Sequence, residues 1–266
     1  MQPIQGLFEQ PHGQIPPLPA PVLTLMKTPQ GTPRREVLAI MRTDMELCSA
    51  VLAMAGNTYY SGRRPLTSLS RLVDRVGLSG IRGLFLRSAL DRAVFSQPGA
   101  VMERLRDHST ATAHISLIIC QHAAVHSETA FICALMQHTG IAIPLALLMQ
   151  TTSAPSDETM VWETLGCAHE AIAGLIAEAW SLPEEIRLVL VRHHQLTANS
   201  PADRIIATLT LANLIASELD RGLEAAAHPP PEGTLIDASL NLLDLTASQL
   251  PVIRQNADDV LSLVAA

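Results

Sequence analysis

His108, His138, His169 and the adjacent pair His193-His194 are spaced for helices to gather their imidazoles at one point. An imidazole nitrogen is a directional ligand for transition metals and a proton carrier near neutral pH. Metal-dependent hydrolysis asks for more than nitrogen. It also uses carboxylates, whose charge offsets the cation and which bridge paired ions. Here that acidic part is missing. No aspartate occurs between Asp107 and Asp157, and the segment Ala134-Leu-Met-Gln-His-Thr-Gly140 places Gln137 beside His138. Gln137 and Asn213 are neutral near-isosteres of Glu and Asp. They can hydrogen-bond imidazoles but hold a hard divalent ion poorly. The expected chemistry is therefore a set of buried, hydrogen-bonded histidines, with no catalytic residue and no metal assigned. A vestigial anion or nucleotide pocket, and zinc on three histidines, stand as alternatives.

Helical phase shows where these side chains point. In 157–180 the apolar stripe is Trp162, Leu165, Ile172, Ile176 and Ala179, with His169 on the same face. In 183–195, Ile186, Val189 and Leu190 turn His193 inward, and in 201–220, Ile206, Leu209 and Ala216 bury Asn213. His108 shares a face with Ala111, Ile115 and Ile119. The seven residues of the expected pocket are His108, Gln137, His138, His169, His193, His194 and Asn213. A carboxylate would have to reach them from elsewhere, Glu163 and Glu170 being nearest in sequence.

The elements that must carry these residues are helices. Helical period runs through almost the whole chain, without the alternating β-branched runs of strands. The prolines of 12–22 favour extended chain, followed by helices near 21–28 and 33–42, the latter with Thr32 as N-cap. Thr43-Asp-Met-Glu46 fits a capping box opening a helix to Ala55. A helix over 67–76 is followed by a turn at Gly77, Gly80 and Gly83 and a further helix to about Phe95. Ser96-Gln-Pro-Gly99 is the expected lobe boundary. Beyond it lie helices near 101–123, 127–138, 141–150, 157–180, 183–195, 201–220, 234–243 and 246–264.

Of the 266 residues 48% are hydrophobic and 16% charged, which argues against disorder, and no uninterrupted apolar run reaches membrane-spanning length. The N-terminus lacks the basic and apolar regions of a signal peptide. Cys48, Cys120, Cys133 and Cys167 lie far apart in apolar stretches, as buried free thiols of a cytoplasmic protein would. Charge is divided unevenly. Residues 1–110 hold 13 Lys+Arg against 8 Asp+Glu, and residues 111–266 hold 5 against 17. The basic half contains Arg63, Arg64, Arg71, Arg75 and Arg82, a candidate face for an acidic partner or phosphate-bearing ligand. Tyr59 and Tyr60 stand just upstream. The few aromatics and the absence of any recognisable motif argue against nucleic acid. No Gly-rich phosphate loop, GxSxG or HExxH occurs.

Three segments together resemble the HDOD family of bacterial signalling proteins, a divergent branch of the HD-type metal-dependent phosphohydrolases. They are Ile15-Pro-Pro-Leu-Pro-Ala-Pro-Val-Leu; Leu52-Ala-Met-Ala-Gly-Asn-Thr-Tyr-Tyr60 with Val76-Gly-Leu-Ser-Gly-Ile-Arg82; and His169-Glu-Ala-Ile-Ala-Gly leading to Arg192-His-His194. The resemblance implies an all-α, two-lobed domain: a tail over 1–14, an N-terminal helical lobe over 15–98, and an HD-like helical bundle with C-terminal helices over 99–266. It also implies signalling rather than a known reaction. Many relatives keep a His-Asp pair where Gln137-His138 stands, and an aspartate is common near Asn213. The function expected is a non-enzymatic platform for signalling proteins, without membrane insertion. A cyclic-dinucleotide binding module is the first alternative, and a residual metal-dependent phosphohydrolase the second.

Overall fold

A computed structural model of the chain describes residues 15–56, 66, 68–150, 158–198, 200, 202–223 and 232–265. Among these it is all-helical. In chain order the helices are α1 (Ala20–Lys27), α2 (Arg34–Met41), α3 (Met45–Ala55), α4 (Leu69–Ala93), α5 (Ala100–His122), α6 (Ser127–Met136), α7 (Thr139–Leu148), α8 (Glu158–Leu165), α9 (His169–Ala179), α10 (Glu184–Leu190), α11 (Ala202–Glu218), α12 (Glu232–Leu243) and α13 (Leu250–Ala265). A short 3-10 turn, Ala247–Gln249, precedes α13.

Local chemistry explains most boundaries. The Asp44 side chain accepts the Leu47 amide and caps α3, so the cap is Asp44 rather than Thr43. Pro33 is the residue before α2, displacing the expected cap at Thr32 by one. Within α4 the helix breaks only at Gly77, which adopts φ +67°. Gly83 is no turn residue. It is buried, and a Cβ there would meet the Phe131 ring at 2.7 Å, so it lets α4 and α6 approach.

The main core crosses the expected lobe boundary. Leu25, Leu47 and Phe85 belong to the same buried cluster as Leu135, Ile172 and Leu190. A second cluster joins the far side of α5 (Ile115, Ile119) to α11, α12 and α13 through Leu211, Ile215, Leu243 and Ile253. Helix α5 thus contributes to both cores. The apolar stretch Ser127–Leu148 would suffice for a bilayer by length and composition, but 89% of its most apolar window is buried in the fold.

Trp180 and Arg82 both tie the N-terminal segment to the rest. The Trp180 indole N–H donates to the Pro16 carbonyl at 2.9 Å. Arg82 lies inside the protein, 7% exposed, and donates to the Leu25 and Thr28 carbonyls while pairing with Glu128 of α6. This corrects the expectation that Arg82 belongs to a surface face. The helix breaks at Gly77, between Arg75 and Arg82, so Arg82 does not continue the exposed face of Arg71 and Arg75 and instead enters the crossing of α1, α4 and α6. All four cysteines are free, yet only Cys48 and Cys133 are buried; Cys120 is half-buried and Cys167 exposed.

Candidate functional site

The seven pocket residues come from five places in the chain, all beyond the expected lobe boundary, and are brought together by the packing of α5, α7, α9 and α11. His108 lies on α5, Gln137 and His138 in the turn between α6 and α7, and Asn213 on α11. His169 is the first residue of α9, and His193 and His194 follow α10. His108, Gln137, His138, His169 and His193 are all buried, Asn213 is half-buried, and His194 is exposed at the rim.

One side of the pocket is a closed network of neutral groups. The Gln137 and Asn213 amides bond each other reciprocally, each at 3.0 Å, and Gln137 donates again to Thr112 Oγ1 at 3.1 Å. His108 Nδ1 lies 2.7 Å from the Arg221 carbonyl, so Nδ1 carries the proton. Desolvation pulls this imidazole down to about 4, against the raising effect of its Arg221 and Asn213 hydrogen bonds. It is neutral at physiological pH.

The other side is built differently. His169 Nδ1 bonds the Gly166 carbonyl and His193 Nδ1 bonds the Leu190 carbonyl. Both acceptors lie three residues back, at the end of the preceding helical segment, where carbonyls lack partners within the helix. A carbonyl only accepts, so each Nδ1 must be the donor. That leaves the lone pairs on Nε2. The two Nε2 atoms face each other at 3.1 Å, and His169 Nε2 lies 3.0 Å from His194 Nε2. Burial holds His169 below its usual value and His193 well below, so neither ring readily takes a second proton.

His138 sits between the two sides. Its ring lies 4.9 Å from that of His108 and 6.1 Å from those of His169 and His193, with Trp162 packed edge-on at 6.0 Å. Its Nδ1 is buried without a hydrogen-bond partner among the described residues. Nearby carboxylates are engaged elsewhere. Glu170 accepts the His194 amide at 3.1 Å. Asp203 holds Arg192, Thr197 and the Ser200 amide.

Sequence periodicity brings the seven residues together but misses what orients them. The expected helix 157–180 is broken at Gly166-Cys167-Ala168, and α10 stops at Leu190, before the His pair. Those two breaks free the carbonyls that fix the rings. Gly166 was the available signal for the first. Thr112 and the Arg221 carbonyl are further parts of the pocket that phase alone does not reveal.

The arginine face is only partly described. Arg63 and Arg64, with Tyr59 and Tyr60, lie outside the described residues. Arg71 and Arg75 are exposed on consecutive turns of α4, and Asp74 between them pairs with Arg34 at 2.6 Å. Arg75, Ser79, Ser127 and Glu128 line a cleft of about 430 Å³ beside the N-terminus of α6.

The HDOD domain profile matches residues 15–196. The chain belongs to the HDOD family. Among solved structures it resembles an HDOD domain protein of unknown function from Geobacter sulfurreducens, with TM-score 0.68 and 20% identity, covering 92% of this chain and 93% of that one. A protein classed provisionally in signal transduction, from Marinobacter aquaeolei VT8, gives 0.69 and 18% identity over 94% of this chain and 59% of the other. A provisional phosphohydrolase from Shewanella amazonensis SB2B gives 0.67 and 17% identity, covering 96% of each. These likenesses show the HDOD fold. An uncharacterized protein of Treponema pallidum (strain Nichols) is 22% identical over 220 residues, which is 77% of this chain but 43% of that protein. The HDOD chain thus spans less than half the length of that relative.

Proposed function

We propose that this HDOD protein is a non-enzymatic signalling protein that serves as a platform for protein partners in the cytoplasm. The observation that carries the reading is the Gln137–Asn213 amide pair. It fills one wall of the pocket with satisfied neutral groups where hydrolysis of a phosphodiester needs carboxylates to hold ions and activate water. The exposed Arg71 and Arg75 supply a contact surface for an acidic partner. A nucleotide messenger is the second reading. It is favoured by the Arg75 cleft, where an arginine and the Ser127 hydroxyl line the space, while the Ser79 hydroxyl is already bonded to Glu128.

One set of measurements separates these readings. Hydrolysis of bis(p-nitrophenyl) phosphate and of a cyclic dinucleotide, with Mg²⁺ or Mn²⁺, is expected to show no turnover. Turnover abolished by His169→Ala would overturn the non-enzymatic reading. In affinity capture, partners are expected to be lost from the Arg71→Glu/Arg75→Glu protein and kept by wild type. Unchanged partners remove the proposed face. A cyclic dinucleotide that raises the melting temperature of wild type but not of Arg75→Glu favours the second reading.

A further inference from the structure

The histidine pocket has one side at rest and one side that is not. Around Gln137, Asn213, Thr112 and His108, donors meet acceptors. Between His169 and His193, acceptor meets acceptor. The Gly166 and Leu190 carbonyls hold the Nδ1 protons of His169 and His193, so both neutral rings present lone pairs at 3.1 Å with no hydrogen between them. A third nitrogen, Nε2 of His194, approaches the same point at 3.0 Å from His169. A cation held between those nitrogens turns this repulsion into attraction.

We propose that His169, His193 and His194 bind one borderline-soft divalent transition-metal ion, of the Zn²⁺ class, through their three Nε2 atoms. The geometry fits. One ligand nitrogen from each residue falls within 4.8 Å of the other two. Nitrogens around a tetrahedral ion with bonds of about 2.0–2.1 Å stand roughly 3.3–3.4 Å apart, only a few tenths of an ångström wider than the contacts found. The supporting bonds fit as well. A metal-bound imidazole normally donates its other N–H to a carbonyl or carboxylate, which fixes the ring and raises its basicity; Gly166 and Leu190 play that part. Glu170, against the His194 amide, places a negative charge beside the cation.

The donor set also selects the ion. Three neutral nitrogens and no coordinating carboxylate suit zinc, cobalt, nickel or copper and disfavour Mg²⁺ and Mn²⁺. The buried, unpartnered Nδ1 of His138 borders the group and gives a hydrogen-bonding site for a solvent ligand in the remaining position. His194 is the one exposed member, so the ion reaches the site from the rim without unfolding. Sequence alone assigns no metal here, because helical phase says which way a side chain points and not which nitrogen carries the proton.

This inference is independent of whether the protein turns over a substrate, and its test reads binding. Metal-stripped protein titrated with Zn²⁺ is expected to take up one ion per chain, with a raised melting temperature. X-ray absorption should show three imidazole nitrogens at about 2.0–2.1 Å. Co²⁺-loaded protein should show visible bands of a four-coordinate nitrogen-rich site. His194→Ala alters an exposed ring and leaves the core intact; it is expected to weaken binding at least about 100-fold, beyond the 10–100-fold cost of losing a supporting hydrogen bond. Cys167→Ser, at an exposed thiol in the turn before α9, is expected to bind as wild type. The proposal is overturned if no ion is taken up at micromolar free Zn²⁺. Uptake unaffected by His194→Ala, or lost in Cys167→Ser, overturns it equally.

Discussion

At His114 the ring lies wholly inside the core, edge-on to Phe131, with its Nδ1 proton donated to the Thr110 carbonyl at 2.8 Å. Desolvation outweighs that bond and lowers the imidazole from 6.5 to about 4. The folded state therefore prefers the neutral ring, whereas the unfolded chain protonates near 6.5. The resulting stability is intact above pH 6.5 and is lost as pH falls from 6.5 through 4; its full size is about 3 kcal/mol. In metal-free protein the urea midpoint should drop between pH 7.5 and 4.5, and His114→Gln should drop less over the same range. Equal losses in the two proteins would count against this assignment. His114 has the same burial as the pocket rings without their convergence, so burial alone does not make a histidine functional in this HDOD chain.

At the scale of elements, the decisive packing is α7 against α9. A Cβ on Gly140 would lie 2.1 Å from the His169 carbonyl oxygen and 2.9 Å from the Ala173 amide nitrogen, both backbone atoms that no rotamer change can move. Gly140→Ala must push the two helices apart. The expected cost is about 1–3 kcal/mol or more, with His169 displaced from its neighbours. Thermal melting and Zn²⁺ affinity should both fall, and a variant that melts like wild type would show the helices are free to separate. Most helices here are legible from period and caps, because amphipathic faces and Asp or Pro near helix starts are local signals. The interruption at Gly166–Ala168 is signalled by Gly166 alone, because apolar residues continue in phase across it. Just beyond that interruption α9 packs closely against α7 at Gly140.

At the scale of the whole molecule, Arg82 joins the end of α1 to α6 across the expected lobe boundary. Its ion pair with Glu128 is buried, with both side chains under a tenth exposed. Removing one partner of a buried pair leaves the other charge unpaired, typically at a cost of about 3–5 kcal/mol. Arg82→Met should therefore lower stability by that amount, and chemical denaturation should remain one cooperative transition because both lobes share one core. Two separated transitions in wild type would contradict a shared core.

The sequence by itself determined the helical class and the inward phase of the pocket residues, and it carries neutral His138 and Asn213 where the resemblance implies aspartates. Those follow from residue type and a period of 3.6, which are written locally. It misassigned Arg82 to the surface series, since five arginines in a row of turns look alike until α1 and α6 close over one of them. Only the tertiary structure decided which nitrogen of each histidine faces the pocket. That choice rests on two carbonyls released where helices stop. The same seven residues make an inert network on one side and a convergent set of lone pairs on the other because Gln137 and Asn213 meet each other. His169 and His193 instead meet backbone.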